Sequence, residues 1–121
     1  MNKRQLGNTN INLTAIGFGG APLGNLFENL DERNCYDILE KTYNEGINIY
    51  DTSPLYGYGL SEHRLGNFLK TVDEESYFLS TKVGRYLTPA KKESIDRGRF
   101  AGSLNFSPNL DYSYDGVMRA F

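Results

Sequence analysis

The sequence predicts an α/β fold in which an N-terminal β-hairpin precedes three parallel strands joined by helices. Turn-forming residues at positions 7–10 separate two short stretches that alternate in polarity. Apolar runs at 15–19, 47–51 and 76–83 are separated by segments with helical periodicity. Because parallel strands need crossover connections, usually helical, this alternation predicts βαβ units and a parallel sheet.

The first sixteen residues are predicted to form the hairpin and to lead into the first strand. Gly7-Asn8-Thr9-Asn10 supplies the turn, and Ile11, Leu13 and Ala15 alternate with polar residues. The glycines that follow at 17, 19, 20 and 24 match neither a G-x-G-x-x-G motif nor a P-loop. They indicate either a tight strand-to-helix turn or a loop that lets a flat ring approach the backbone.

A first helix is predicted over residues 32–45. Asp31 is a suitable N-cap, and Gly46 is a suitable stop. The apolar positions at helical spacing are Cys35, Ile38 and Leu39. Cys35 is therefore expected to be a buried, unreactive thiol.

A second helix is predicted to begin at Ser61 as its cap, with Leu65, Phe68 and Leu69 on its buried face. Residues 17–83 thus contain the βα units. Residues 84–112 show no clear periodicity and are predicted to form a long loop, either a lid over a substrate or a flexible connection. Residues 113–121 are predicted to form the beginning of a third helix. Ser113 is its cap, and its apolar positions are Val117, Met118 and Phe121.

Composition argues against several classes of function. The net charge is −2 and the isoelectric point about 5.4, which gives no electrostatic reason to expect nucleic acid or an anionic membrane as a partner. No apolar run approaches the ~20 residues of a membrane span, and no signal peptide is visible, so a cytoplasmic location is expected. One cysteine and one histidine, His63, give no metal site, and His63 is expected to be exposed.

Three residues at predicted strand ends could carry chemistry together. Asp51 ends the second strand, Tyr56 follows on a Gly/Pro-containing loop, and Lys82 lies at the end of the third. A lysine cation beside a tyrosine favours the phenolate, which makes the phenol a better proton donor near neutral pH. Asp51 could hold the ammonium in place. The alternative is a structural Asp–Lys pair with Tyr56 as an ordinary loop aromatic.

Several spaced motifs follow one another along the chain. They are Leu6-Gly7, Ile16-Gly17-Phe18-Gly19-Gly20, Gly46 to Gly57, Ser61-Glu62, Leu65-Gly66 and Ser80 to Gly84. Taken in order, these motifs resemble the N-terminal third of the aldo-keto reductases, and the resemblance extends along the whole chain. Residues 106–119 resemble the bacterial aldose 1-dehydrogenase branch, which acts on L-fucose, D-threo-aldoses and galactose.

This resemblance implies the first three βα units of a (β/α)8 TIM barrel, incomplete here, with the hairpin closing its bottom. It also implies NAD- or NADP-dependent oxidation of an aldose to a lactone, or reduction of a carbonyl, on a small sugar or aldehyde substrate. Asp51, Tyr56 and Lys82 match three of the family's four catalytic residues, with Tyr56 as the acid/base. Gly19, Gly20 and Asp51 match positions at the nicotinamide end of the cofactor.

The fourth catalytic residue of the family, a histidine at the end of strand 4, has no counterpart in these 121 residues. We therefore expect an N-terminal fragment of an oxidoreductase that is inactive alone. The alternative is a non-catalytic module that self-associates through its open sheet edges. A further possibility is complementation by a second chain that carries the remaining strands.

Overall fold

The hairpin at the N-terminus is the first element of the computed structural model, which describes residues 1–120. Strands β1 (Lys3–Gln5) and β2 (Asn12–Thr14) pair antiparallel, as predicted. The side chain of Asn48 attaches this hairpin to the central sheet, since its Oδ1 accepts from the Thr14 amide at 2.7 Å and its Nδ2 donates to the Asn12 carbonyl at 2.9 Å.

The central sheet consists of three parallel strands in chain order: β3 (Phe18–Gly19), β4 (Ile49–Asp51) and β5 (Phe78–Ser80). This confirms the predicted parallel arrangement. The strands are shorter than the apolar runs, with two or three residues each. The described residues form no closed barrel.

Helices α1 (Glu32–Asn44) and α2 (Leu60–Leu69) enclose the hydrophobic core with the sheet. Asp31 caps α1 as predicted, since its side chain accepts from the Asn34 amide at 2.8 Å. Ile38, placed by the periodicity on the apolar face, is 42% exposed and lies outside the core. The buried core residues are Leu23, Cys35, Leu39, Tyr50, Leu65, Phe68 and Leu69.

The start of α2 differs from the prediction. Its N-cap is Gly59, which has a positive φ of 94°, and Ser61 lies inside the helix. Ser61 is fully buried, and its hydroxyl donates to the Gly20 carbonyl at 2.7 Å. The serine therefore joins α2 to the residue after β3 instead of capping the helix.

The prediction of one long loop over residues 84–112 is wrong. Strands β6 (Arg85–Pro89) and β7 (Phe106–Leu110) form an antiparallel hairpin there. Their pattern is obscured because Pro89 and Pro108 interrupt it, and because the residues are only partly buried. Helix α3 (Tyr114–Ala120) follows, capped by Ser113, whose hydroxyl accepts from the Gly116 amide at 3.1 Å. Phe121, predicted to lie in this helix, falls outside the described residues.

Candidate active site

The carboxyl ends of the three parallel strands bring several predicted site residues to one level. The strand register aligns Gly19 with Asp51, and Asp51 with Ser80. Lys82 follows β5 by two residues. Ligand sites of parallel α/β sheets lie beyond this end of the strands, so the register alone places these residues where chemistry is expected.

Asp51 and Lys82 form an ion pair at this edge. The Lys82 ammonium Nζ lies 2.5 Å from Asp51 Oδ2 and 2.9 Å from the Thr52 carbonyl oxygen. Ser80 Oγ donates to the other carboxylate oxygen, Asp51 Oδ1, at 3.1 Å. The Lys82 and Asp51 side chains are 46% and 43% exposed, so the pair avoids most of the desolvation cost of a buried salt bridge.

Tyr56 completes the predicted trio. Its ring centroid lies 4.9 Å from Lys82 Nζ, within the range of a cation–π contact. Two backbone hydrogen bonds fix the position of Tyr56. The Tyr56 amide donates to the Ser53 carbonyl at 3.0 Å, and the Tyr56 carbonyl accepts from the Ser61 amide at 3.1 Å. The fold thus brings Lys82 beside Asp51 and Tyr56, which lie much earlier in the sequence.

The surroundings of Lys82 keep its side chain charged. Partial burial lowers the pKa of the Lys82 ammonium, but the hydrogen bond to Asp51 and the neighbouring Tyr56 phenol more than offset this effect. The net result is a pKa above the ordinary value of 10.5. A fixed cation therefore lies beside the tyrosine at neutral pH, as a tyrosine acid/base requires.

Gly19, the last residue of β3, and Gly20, which follows it, have different surroundings. A Cβ built on Gly20 would lie 2.8 Å from Ser61 Oγ and 2.9 Å from the Asp51 carbonyl oxygen, so this position has no room for a side chain. A Cβ on Gly19 would meet nothing within 4 Å. Gly19 therefore presents bare backbone to open space beside Asp51, where a flat ring could lie.

Sequence reasoning missed a backbone contact between the loops after β3 and β4. A Cβ on Gly24 would lie 2.6 Å from the Gly57 amide nitrogen and 2.7 Å from the Tyr56 carbonyl oxygen. Gly57 has a positive φ of 65°, which favours glycine. Both positions show only as glycines in loops, and nothing in the sequence indicates that the two loops touch.

The connection between β6 and β7 covers part of this region. The Leu104 amide donates to the Gly57 carbonyl at 3.0 Å, and the Phe27 amide donates to the Arg99 carbonyl at 2.8 Å. The Phe100 ring lies 6.5 Å from the Tyr56 ring and 6.1 Å from the Tyr58 ring, centroid to centroid. The segment thus contacts the loops that carry the trio, as the lid interpretation requires.

Other features contribute nothing to the trio. A cavity of about 470 Å³ lies between α2 and the β6–β7 hairpin, lined by Tyr58, Glu62 and Leu87 among others, but by none of the three residues.

Cys35 is buried and His63 is exposed, as expected. Within residues 1–120, no three His, Cys, Asp or Glu side chains are grouped to hold a metal ion. None of the described helices is long and apolar enough to cross a membrane.

Comparison with known proteins identifies the family that the chain resembles. The model of the aldo/keto reductase family matches residues 15–107. The chain is 43% identical to pyridoxal 4-dehydrogenase of Microbacterium luteolum over 98% of its own length. It is 47% identical to a D-threo-aldose 1-dehydrogenase of Pseudomonas sp over 64% of its length, and 44% identical to L-galactose dehydrogenase of Arabidopsis thaliana over 77%.

Solved structures show the same fold. An aldo-keto reductase from Bacillus halodurans superposes with a TM-score of 0.71 at 29% identity, over 99% of this chain and 34% of that one. A glycerol dehydrogenase from Gluconobacter oxydans superposes with a TM-score of 0.70 at 19% identity, over 97% of this chain and 32% of that one, which supports the fold alone. The chain spans 37%, 23% and 28% of the three curated relatives, taken in the order given above.

Proposed function

The chain belongs to the aldo/keto reductase family, and we propose that it is part of an NAD(P)-dependent oxidoreductase that oxidises an aldose at C1 to a lactone, or runs the reverse reduction of a carbonyl. The observation that carries this proposal is the grouping of Asp51, Tyr56 and Lys82 at the strand ends. The names of two relatives, a D-threo-aldose 1-dehydrogenase and an L-galactose dehydrogenase, support an aldose as substrate.

In this proposal, Tyr56 exchanges the proton. During oxidation its phenolic oxygen takes the proton of the sugar's C1 hydroxyl, and in the reverse direction it returns that proton to the carbonyl oxygen. The Lys82 cation stabilises the phenolate form of Tyr56. Asp51 orients Lys82 through the 2.5 Å contact, and the Thr52 carbonyl gives the ammonium a second acceptor.

The residues near Gly19 fit a nicotinamide ring. The open face of Gly19 leaves room for a flat group level with Asp51, whereas Gly20 is closed off by Ser61 and the Asp51 backbone. We propose that Gly19, Gly20 and Asp51 line the nicotinamide end of the cofactor site. When bound, the coenzyme would supply the hydride acceptor for the sugar's C1 hydrogen, or the hydride donor in the reverse direction.

We further propose that these 121 residues are inactive on their own. They provide three of the catalytic groups and one wall of the cofactor site, and they span 37% or less of the curated relatives named above. Each transition-state contact that is missing lowers the rate by about tenfold per 1.4 kcal/mol.

A chimera tests the reaction class. Residues 1–120 would replace the matching segment of the Microbacterium luteolum pyridoxal 4-dehydrogenase, because the match covers 98% of this chain. The chimera would be assayed with NAD⁺ and NADP⁺ against pyridoxal, L-fucose and L-galactose. Reduction of the coenzyme with any of these supports the reaction class, and lactone formation from a sugar supports the substrate. A folded chimera with no turnover on all three would contradict the proposal.

The exposed apolar residues of the open sheet favour a second candidate function, a non-catalytic module that self-associates. Leu79 on the edge strand β5 is 52% exposed, and Ile16 just before β3 is 61% exposed. Light scattering of the 121-residue chain distinguishes the candidates. A defined dimer with cooperative melting favours the module, whereas a monomer excludes self-association.

A further inference from the structure

Arg64 is the one charged side chain that is buried among the described residues, at 8% exposure. It lies in α2, and its guanidinium makes hydrogen bonds through all three nitrogens. Nη1 donates to the Leu23 carbonyl at 2.8 Å and to Asn25 Oδ1 at 2.7 Å. Nη2 donates to the Leu30 carbonyl at 2.7 Å, and Nη2 and Nε both contact Glu32 Oε1, at 2.6 and 2.8 Å.

These contacts go to the segment that leads from β3 to α1 and to Glu32, the first residue of α1. The one carboxylate partner, Glu32, is 74% exposed, so charge pairing alone does not explain why an arginine is buried here. The other three acceptors are uncharged oxygens of residues 23–30. The rigid guanidinium fork therefore fixes the path of this loop, which a lysine could not do in the same way.

The loop held by Arg64 lies directly against the backbone of Tyr56. Arg64 binds the two residues on either side of Gly24, and Gly24 is the position where the loop meets Tyr56 and Gly57. One turn earlier in the same helix, Ser61 binds the Gly20 carbonyl through its hydroxyl and the Tyr56 carbonyl through its amide. Helix α2 thus holds the loop at two points, through Ser61 and Arg64, and holds the Tyr56 backbone through Ser61.

We propose that Arg64 is a positioning residue: by fixing Gly24 against the Tyr56–Gly57 backbone, it sets the place of the Tyr56 phenol beside Lys82. The proposal rests on the proposed function only in taking Tyr56 as the acid/base. Arg64 itself need not touch the substrate, since it acts through the loop.

Nuclear magnetic resonance of the 121-residue chain tests this without any turnover. Tyrosines would carry ¹³C at Cζ, and Tyr56→Phe would assign the Tyr56 signal. In Arg64→Met, the Tyr56 signal is expected to shift or to split into several. Leu65→Val is the matched control, because Leu65 is the next residue of α2 and is also buried, but packs in the core. Its Tyr56 signal should stay at the wild-type position.

Two further variants keep the proposal falsifiable if Arg64→Met does not fold. Arg64→Lys keeps the charge but loses the fork, and Gly24→Ala pushes the loop away from Tyr56 while Arg64 stays intact. Both should move the Tyr56 signal. An unchanged Tyr56 signal in folded Arg64 and Gly24 variants would overturn the proposal, as would an equal shift in Leu65→Val. An inactive chimera with a shifted signal would count against the proposed function alone.

Discussion

The ion pair between Asp51 and Lys82 contributes more to geometry than to stability. Both side chains are nearly half exposed, and exposed pairs contribute only up to about 1 kcal/mol to the free energy of unfolding. The pair does fix the position of a cation 4.9 Å from the Tyr56 ring centroid. The main effect of the ion pair is therefore to position the Lys82 cation beside the Tyr56 phenol.

The raised pKa of Lys82 predicts how this contribution depends on pH. Because the folded-state pKa lies above the ordinary 10.5, the stabilisation is fully present below that value and is lost as pH rises through the folded-state pKa. Lys82→Met should lower the free energy of unfolding by up to about 1 kcal/mol at pH 7. Urea unfolding of both proteins from pH 7 to 11 should show the difference shrinking only at the alkaline end. A difference that disappears by pH 9 would contradict this.

Part of the site can be predicted from single residues, and part cannot. Asp51 and Lys82 can be identified because each lies at the end of an apolar run, and strand ends converge in a parallel sheet. Gly24 cannot, because its role depends on a contact with another loop. Arg64 leaves a weak signal, since it lies between Ser61 and Phe68 on the buried side of α2.

At the scale of elements, the neighbouring residues Gly19 and Gly20 at the end of β3 allow a matched test of backbone packing. Gly20→Ala should destabilise the protein by about 1–3 kcal/mol, because its Cβ would press on Ser61 Oγ and the Asp51 carbonyl. Gly19→Ala should leave the free energy of unfolding close to that of the wild type, since its Cβ would meet open space. Urea denaturation of both variants checks this, and equal destabilisation would show that the loop packs differently.

The β6–β7 hairpin shows why some elements escape prediction. Its strands are joined by the long segment 90–105 instead of a short turn, and each carries a proline, so neither turn chemistry nor a regular alternation marks it. The parallel strands and the two helices were predictable because their apolar residues face one core. The β6–β7 hairpin contributes no residue to this core and so has no such pattern.

Phe100 should help to hold the segment 90–105 in place. Its ring contacts Tyr56 and Tyr58, whereas Lys91, Lys92 and Arg99 in the same segment are exposed. Phe100→Ala should therefore make trypsin cut faster at these basic residues, because local opening controls cleavage. Ile95→Ala, a partly buried residue of the segment without such ring contacts, is the control. Equal cleavage rates in wild type and Phe100→Ala would show that the ring does not anchor the segment.

At the scale of the whole molecule, the described residues form an open sheet with one covered face. Three parallel strands with exposed Ile16 and Leu79 lack the neighbours that complete a barrel in family members. The 121-residue chain alone should accordingly show no coenzyme reduction with the three substrates at which the chimera is active. Turnover by the isolated chain at the rate of the chimera would contradict this expectation.

We propose that Tyr56 exchanges the proton in a hydride-transfer reaction, and Tyr58, two residues away, offers a control. Tyr58 is buried, and its hydroxyl donates to the Asp96 carbonyl instead of facing Lys82. The decisive measurement compares kcat of the chimera with Tyr56→Phe and with Tyr58→Phe. Tyr56→Phe should lower kcat by about 10²- to 10⁴-fold, the usual contribution of a general acid/base, while Tyr58→Phe should retain most of the activity. A Tyr56→Phe chimera as active as its Tyr58→Phe counterpart would contradict the account.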